Sequence, residues 1–197
     1  MDKNSLLWHR IKFIALVAVF LSPFIGGWMA LYVFELKPDS TNYGSLVQPV
    51  KKIDWPLLES ISGKRFENGF GRKWAFLLFA SESCSEQCRS NLFYMRQVRT
   101  LLARDTPRLQ NVLVITDVLD EEMKLFLADY PDLVVIQSNN DLLLSRFKIP
   151  QAEPVGLNPR LYLVDPDNNY MMHYPAEIDH YRVLDDIKKL MKLSQIG

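Results

Sequence analysis

An uncharged apolar segment near the N-terminus places the strongest constraint on how this chain can fold. The sequence from Phe13 to Phe34 contains no charged residue, and about 20 consecutive apolar residues are enough to cross the hydrocarbon core of a membrane as a helix. The basic residues that precede this segment are Lys3, Arg10 and Lys12. Because basic flanking residues tend to stay on the cytoplasmic side, the sequence predicts a cytoplasmic segment at 1–12, a transmembrane helix at 13–34 and an exported remainder.

A cleaved signal peptide is the main alternative for this segment. The segment is longer than the apolar region of a typical signal peptide, and no small-residue cleavage motif precedes its bulky end, Trp28 to Phe34. We therefore interpret it as a retained anchor, which puts the rest of the chain in an oxidising compartment.

The composition leaves room for one ordinary domain beyond the anchor and argues against nucleic acid as a partner. The chain has 197 residues, with 23 Lys and Arg residues balanced by 23 Asp and Glu residues. No overall positive field therefore exists to attract a polyanion.

The exported part divides into a linker and a folded domain. Residues 35–52 are rich in turn-forming residues and show no regular periodicity, so we expect a linker there. From 53 to 197 short apolar runs alternate with amphipathic stretches, which predicts one α/β domain whose mostly parallel sheet is covered by helices on both faces. A leading hairpin is expected around Ser62 and Gly63. The other strands are expected at 74–80, 112–118, 133–137, 161–164 and 170–174.

One pair of cysteines, Cys84 and Cys88, follows the most apolar strand and begins a helix. Free amide groups and the helix dipole stabilise a thiolate at such a position. Four residues of ideal helix rise by about 6 Å, whereas a disulfide needs Cβ atoms about 4 Å apart. A disulfide therefore requires Cys84 to lie in the loop before the first helical turn, where we expect it to be exposed and to act as the attacking thiol.

The residues themselves leave two chemistries open at this pair. The sulfurs can form a disulfide, or two thiolates can hold a soft cation, which favours copper(I), with zinc as a second choice if further ligands are added. A purely structural disulfide that closes so small a loop would stabilise the fold only weakly. We therefore interpret the pair as functional.

The order of strand, CxxxC motif, helix and later strand with an Asp-Pro-Asp turn resembles the Sco/SenC branch of thioredoxin-fold proteins. The segments GLNPRLYLVDPDNNYMMHYPAEID and LSQIG in particular look like those of small Sco-like proteins of Gram-negative bacteria. The resemblance implies a thioredoxin-like domain in the periplasm, held by a single-pass helix in the bacterial inner membrane. It also implies copper(I) as the metal, and a cytochrome c oxidase subunit or a copper-assembly factor as the partner.

One departure from the Sco pattern affects the metal site. Sco proteins carry a metal-binding histidine about five residues before the strand that corresponds to LYLVD, and Leu157 stands at that position here. Asn158 and Pro159 instead look like the thioredoxin site in which a cis proline faces the thiols. His173, in the YMMHY strand, is the candidate for a substitute ligand. In a regular strand, however, Met171 and His173 would share one face while Met172 takes the other.

Three functions are compatible with these residues. The first is a cytochrome c oxidase assembly factor that uses Cys84 and Cys88 for thiol–disulfide exchange or copper(I) delivery. The second is a membrane-anchored scaffold that binds oxidase subunits or other assembly factors and does not use its thiols. The third is a general periplasmic thiol reductase, an enzyme that we rank last because the commoner CxxC motif is absent.

Overall fold

The computed structural model describes residues 3–33, 42–81, 84–150 and 152–194. It divides the chain into two compact units, Met1–Thr41 and Asn42–Gly197. The first unit contains one helix, α1 (Lys3–Tyr32), of which Trp8–Met29 is long and apolar enough to cross a membrane. The expected end of the span at Phe34 and residues 35–41 of the expected linker lie outside the described residues.

The second unit alternates strands and helices. It begins with β1 (Ser45–Lys52) and the short hairpin of β2 (Leu58–Glu59) and β3 (Arg65–Phe66). The elements that follow are β4 (Trp74–Ala80), α2 (Glu86–Leu101), a 3-10 helix (Ala103–Arg108), β5 (Leu109–Ile115), α3 (Glu121–Leu127), β6 (Leu133–Gln137), α4 (Asp141–Arg146), β7 (Leu161–Val164), β8 (Asn169–His173) and α5 (His180–Leu193).

The sheet is mixed rather than mostly parallel. Its strand order is β1-β8-β7-β4-β5-β6. The β4–β5 and β5–β6 pairs are parallel, whereas β1–β8, β8–β7 and β7–β4 are antiparallel. The prediction of a mostly parallel sheet is wrong because the chain returns after α4 in the opposite direction and then continues through the β7–β8 hairpin.

Most strands lie where their apolar runs predict them, and the bounds of β4, β6 and β7 match the expected ranges. The strand expected at 112–118 instead runs from Leu109 to Ile115. Polar residues in its first half, Gln110 and Asn111, hide this start in the sequence. The Nδ2 of the buried Asn111 donates to the Met95 carbonyl of α2 at 3.0 Å, which pairs the side-chain donor with the helix.

The sheet separates two apolar cores. The helix-side core contains side chains of α2, α3 and α5, whereas the opposite core contains α4 and the segment from Ile53 to Phe70. All residues of β4 are buried, and they alternate between the two cores, with Leu78 on the helix side and Phe79 on the other. This alternation follows from the period of two in a strand, and it determines which of the two cores each side chain of the sheet packs into.

The expected linker differs from the structure over residues 45–52, which form the edge strand β1. Its pairing with β8 places Ser45 opposite His173 and Lys52 opposite Asn169, with an irregularity between them. Most β1 side chains are exposed and the strand contains Pro49, a residue tolerated in sheets at edges. An exposed edge strand needs no alternating apolar pattern, so periodicity gave no sign of it.

Candidate redox site at Cys84 and Cys88

Cys84 and Cys88 form a disulfide at the N-terminus of α2. The helix begins at Glu86, and the hydroxyl oxygen of its N-cap, Ser85, accepts a hydrogen bond from the Cys88 amide at 3.3 Å. Cys84 lies before this cap, and the two Cα atoms are 5.2 Å apart, a normal separation for a disulfide. The geometric condition derived from the CxxxC spacing is therefore confirmed, and the structure holds the disulfide rather than the two-thiolate arrangement.

Both cysteines are buried in this form, since Cys84 is 3% and Cys88 1% exposed. The prediction that Cys84 is exposed is wrong for the disulfide. Both residues belong to the helix-side core together with Leu92 of α2 and Met123 of α3, and a disulfide carries no charge that would keep it in water. A thiol of another protein can therefore reach these sulfurs only when the segment before α2 moves.

Arg89 joins the cysteine segment to α3. Its Nε donates to the Cys84 carbonyl oxygen at 3.2 Å, and its Nη2 lies 2.7 Å from the Glu122 carboxylate. The guanidinium also lies over the Phe126 ring, 5.0 Å from its centre, within the range of a cation–π contact. The hydrogen bond from Nε thus holds the backbone of Cys84, while the two contacts with α3 fix the guanidinium in place.

Replacement of Arg89 by glutamine is expected to make the disulfide easier to reduce. A partly exposed hydrogen bond from a charged donor contributes about 1 kcal/mol, which corresponds to roughly a fivefold shift of the thiol–disulfide equilibrium toward the thiols. The charge of Arg89 is already paired with Glu122, so the lost hydrogen bond is the larger effect. The measurement is the equilibrium constant for reduction of the full chain by dithiothreitol.

Arg96→Gln is the matched control for this change. Arg96 lies two turns further along α2, where it donates to the Asp129 carbonyl and lies over the Tyr130 ring. The Arg96→Gln variant should therefore leave the equilibrium constant for reduction unchanged. Equal shifts in the two variants would show that Arg89 does not position Cys84.

The loop before β7 is tied to α2 by a buried asparagine that the sequence did not single out. Asn91 is fully buried, and its Nδ2 donates to the carbonyl oxygens of Pro159 at 2.6 Å and Ala176 at 2.7 Å. Its Oδ1 accepts a hydrogen bond from Nε2 of the Gln87 side chain at 3.1 Å. Asn91 therefore fixes two loops against the helix that carries Cys88. No periodicity or motif in the sequence marks it, because its partners lie far along the chain.

Pro159 is buried, but its peptide bond differs from the one that the resemblance implies. The Asn158–Pro159 bond is trans, and the cis X-Pro bond among the described residues is Gln48–Pro49. The carbonyl of Pro159 is engaged by Asn91. The expected cis proline at this position is therefore wrong, and a role for Pro159 beside the thiols stays a prediction.

His173 lies on the other side of the sheet from the cysteines. It pairs with Tyr162, whose side chain belongs to the opposite core, and its ring lies 6.4 Å from that of Tyr170 in the same core. An irregularity in the β7–β8 pairing at Met171 breaks the alternation, so Met171 and Met172 both pack against the helix-side core. The expectation that Met171 shares a face with His173 is wrong for this reason.

The surroundings of His173 do not suit a metal shared with the cysteines. Burial and the nearby Arg160 cation lower the pKa of His173 below its ordinary value, and the same cation would repel a bound metal ion. No group of three His, Cys, Asp or Glu residues in the described ranges could hold a metal ion. Cys84 and Cys88 alone supply two sulfur donors when reduced, a set that suits copper(I) but lacks the histidine of a three-ligand Sco site.

Comparison with known families settles the classification of this domain. Residues 74–194 match the family described as "Transmembrane-like, thioredoxin-like, C-terminal domain", which is more than half of the chain. The chain belongs to this family. A search of curated proteins found no match.

Solved structures agree with the thioredoxin-like assignment. Copper-bound ScoI of Arabidopsis thaliana is similar with a TM-score of 0.56 and 15% identity, over 77% of this chain and 99% of that one. BsSco is described as a member of the Sco family of cytochrome c oxidase assembly proteins, in which a disulfide switch was identified. It gives a TM-score of 0.55 at 14% identity, over 76% of this chain and 99% of that one.

A secreted Mycobacterium tuberculosis disulfide oxidoreductase, homologous to E. coli DsbE, is also similar. Its TM-score is 0.50 at 17% identity, over 68% of this chain and 95% of that one. At these identities the comparisons show the fold. The Sco-like thioredoxin fold expected from the sequence is therefore confirmed.

Proposed function

We propose that this chain is a cytochrome c oxidase assembly factor that acts through Cys84 and Cys88. It would do so by thiol–disulfide exchange with an oxidase subunit or a copper-assembly factor, or by delivery of copper(I) to it. The observation that carries the proposal is the disulfide between Cys84 and Cys88 at the N-terminus of α2 in a thioredoxin-like domain. The Sco family to which BsSco belongs is described as assembling cytochrome c oxidase.

The exchange reaction needs only the two cysteines and a client disulfide. In the reduced form the Cys84 thiolate attacks one client sulfur, which forms a mixed disulfide and releases the other client sulfur as a thiolate. Cys88 then attacks the Cys84 sulfur, which frees the second client thiol and restores the Cys84–Cys88 disulfide. Two electrons pass from the pair to the client, and a thiol reductant must reduce the pair again before the next cycle.

We assign the attack to Cys84 because it lies outside the helix. Cys84 precedes the N-cap, so it can move without breaking the helical hydrogen bonds, whereas the Cys88 amide is bound to Ser85. The positive end of the α2 dipole favours the thiolate over the thiol. Copper(I) would be cargo for the same pair, since thiolate sulfurs bind it and a disulfide offers no thiolate. Reduction would therefore govern both activities.

The proposed topology follows from α1 and the charge distribution around it. The N-terminus would lie in the cytoplasm of a bacterial cell, α1 would cross the inner membrane once, and the thioredoxin-like domain would lie in the periplasm. The domain in this proposal begins near Asn42, where the second compact unit starts.

Serine variants of the cysteines test this function in cells that otherwise lack the chain. Cys84→Ser and Cys88→Ser should each leave less than about a tenth of the cytochrome c oxidase activity that the wild-type chain restores at low copper, because each removes a reacting sulfur. Ser90→Ala, an exposed change on the same helix, is the control and should restore full activity. Full activity in both cysteine variants would contradict the proposal.

A non-catalytic scaffold is the second candidate, and the burial of both sulfurs favours it. A scaffold holds oxidase subunits or assembly factors through its surface and its membrane helix, so the double serine variant should keep its activity. Exchange of residues 13–34 for an unrelated transmembrane segment should then abolish that activity. An assembly factor that uses its thiols loses activity in the double serine variant, whatever the exchange of residues 13–34 does.

A general thiol reductase is the third candidate and makes a different prediction. Such an enzyme would turn over small disulfides without a protein client. The similarity to the Mycobacterium tuberculosis oxidoreductase extends to the fold only, and turnover of oxidised glutathione by the reduced chain would separate this candidate from the first.

A further inference from the structure

A group of polar side chains lies on the sheet face away from the disulfide. Arg160 Nε, Tyr170 OH and His173 Nδ1 are buried and have no hydrogen-bond partner among the described residues. Tyr170 is 1% exposed, and its ring lies near those of His173 and Tyr162. Buried polar atoms are almost always paired in folded proteins, so three unpaired ones in one place indicate that a further group binds there.

The three residues are close to one another. His173 lies directly opposite Tyr162 in the β7–β8 pairing, and Arg160 stands two residues before Tyr162, which puts it on the same face by the strand period. The charge of Arg160 acts on the pKa of Tyr162, Tyr170 and His173 alike. The three unpaired polar atoms therefore belong to one neighbourhood on this sheet face.

The hydrogen-bond donors in this group favour an anionic ligand. Arg160 Nε and Tyr170 OH are donors, and Arg160 forms no ion pair within the described part of the chain. No carboxylate of the described residues therefore lies within ion-pair distance of this guanidinium. A cation is excluded by that charge, whereas a carboxylate supplies one negative charge and two acceptor oxygens.

This group lies at the same edge of the sheet as the cysteines. Leu161 at the start of β7 pairs with Leu78 near the end of β4, and the chain passes from β4 directly into the Cys84 segment. Arg160 therefore lies beside the end of β4, on the face opposite to α2. A protein that docks at this edge can reach both the disulfide and this group.

We propose that Arg160, Tyr170 and His173 form a binding site for a carboxylate group. The carboxylate can belong to an acidic side chain of a partner protein or to a small free acid. The site goes beyond the proposed thiol function, because it lies on the other sheet face and involves neither cysteine.

Calorimetric titration of the full chain in detergent micelles tests this site at constant ionic strength. Acetate is the first probe and acetamide is its neutral counterpart. The wild-type chain should bind acetate saturably and should not bind acetamide. Arg160→Gln should weaken acetate binding at least tenfold, whereas Arg104→Gln, an exposed arginine after α2, should leave it unchanged.

A second variant keeps the test independent of folding defects. Tyr170→Phe keeps the buried ring and removes only the hydroxyl, so it should weaken acetate binding about threefold. Equal binding of acetate and acetamide by the wild-type chain would overturn the site, as would acetate binding that Arg160→Gln leaves unchanged.

A blocked peptide that contains one glutamate, with its glutamine analogue as control, identifies the source of the carboxylate. Tighter binding of the glutamate peptide than of acetate assigns the site to a protein partner, whereas equal affinity assigns it to a small acid. Either result upholds the carboxylate site. Because the cysteines take no part in these measurements, failure here would leave the proposed exchange function untouched.

Discussion

Replacement of Asn91 by leucine is expected to destabilise the thioredoxin-like domain by about 3 kcal/mol, since an unpaired buried polar group costs about 1–3 kcal/mol. Leucine has the same number and branching of side-chain heavy atoms as asparagine but cannot donate to the Pro159 and Ala176 carbonyls, and the side-chain amide of Gln87 loses one acceptor. The Pro159 carbonyl is buried, so water cannot replace the lost donor. The measurement is the free energy of unfolding of the full chain by urea in detergent micelles.

Gln97→Leu is the control for the Asn91 variant. Gln97 lies on the same helix, is half-buried, and its side chain makes no hydrogen bond within the described ranges. Its replacement should change the free energy of unfolding by less than about 0.5 kcal/mol, as is usual for surface positions. Equal effects of the two variants would show that Asn91 does not hold the loops that contain Pro159 and Ala176.

Replacement of Asp186 by alanine should cost a similar amount, about 3 kcal/mol, because one buried and one partly buried amide group lose their acceptor. The Asp186 carboxylate on α5 is 2% exposed and accepts hydrogen bonds from the amides of Gly44 at 2.9 Å and Tyr43 at 3.2 Å. It holds the start of the domain just before β1. The free energy of unfolding measures the loss. Relative to the wild type, amide hydrogen exchange should accelerate more in β1 than in β4.

Asp185 provides a matched comparison, since it is the same residue type, one position earlier on α5, and exposed. Asp185→Ala should alter the free energy of unfolding by less than about 0.5 kcal/mol. Equal stability of the two variants, or unchanged exchange of β1 relative to the wild type, would show that Asp186 does not hold the start of the domain.

The features that the sequence predicts well are local ones. The apolar runs of β4, β6 and β7 are visible in a short window, and so are the cysteine spacing and its position before a helix. The requirement that Cys84 precede the first turn followed from helix geometry alone, and the structure meets it.

The features that the sequence did not predict depend on partners far along the chain. Asn91 contacts a carbonyl 68 residues away and Asp186 an amide 142 residues away, so neither has a local pattern. β1 is a strand because β8 is available beside it. The face of His173 depends on an irregularity in the β7–β8 pairing, which no single strand reveals.

Burial of the cysteines is the finding that matters most for function. A position before a helix usually exposes a side chain, but here the disulfide packs into the helix-side core. The same segment must therefore open during each exchange. Local opening needs less free energy than unfolding when few contacts hold a segment, and Arg89 supplies one hydrogen bond to this segment while its other two contacts anchor it to α3.

Redox titration of the folded full chain tests directly whether the Cys84–Cys88 disulfide is a working pair. The protein is equilibrated in detergent with graded mixtures of reduced and oxidised dithiothreitol, thiols are trapped by alkylation, and circular dichroism follows the fold. We expect both sulfurs to be alkylated together over a single two-electron transition while the circular dichroism stays native. A disulfide that remains closed under full reducing power, and opens only when the domain unfolds, would contradict the account.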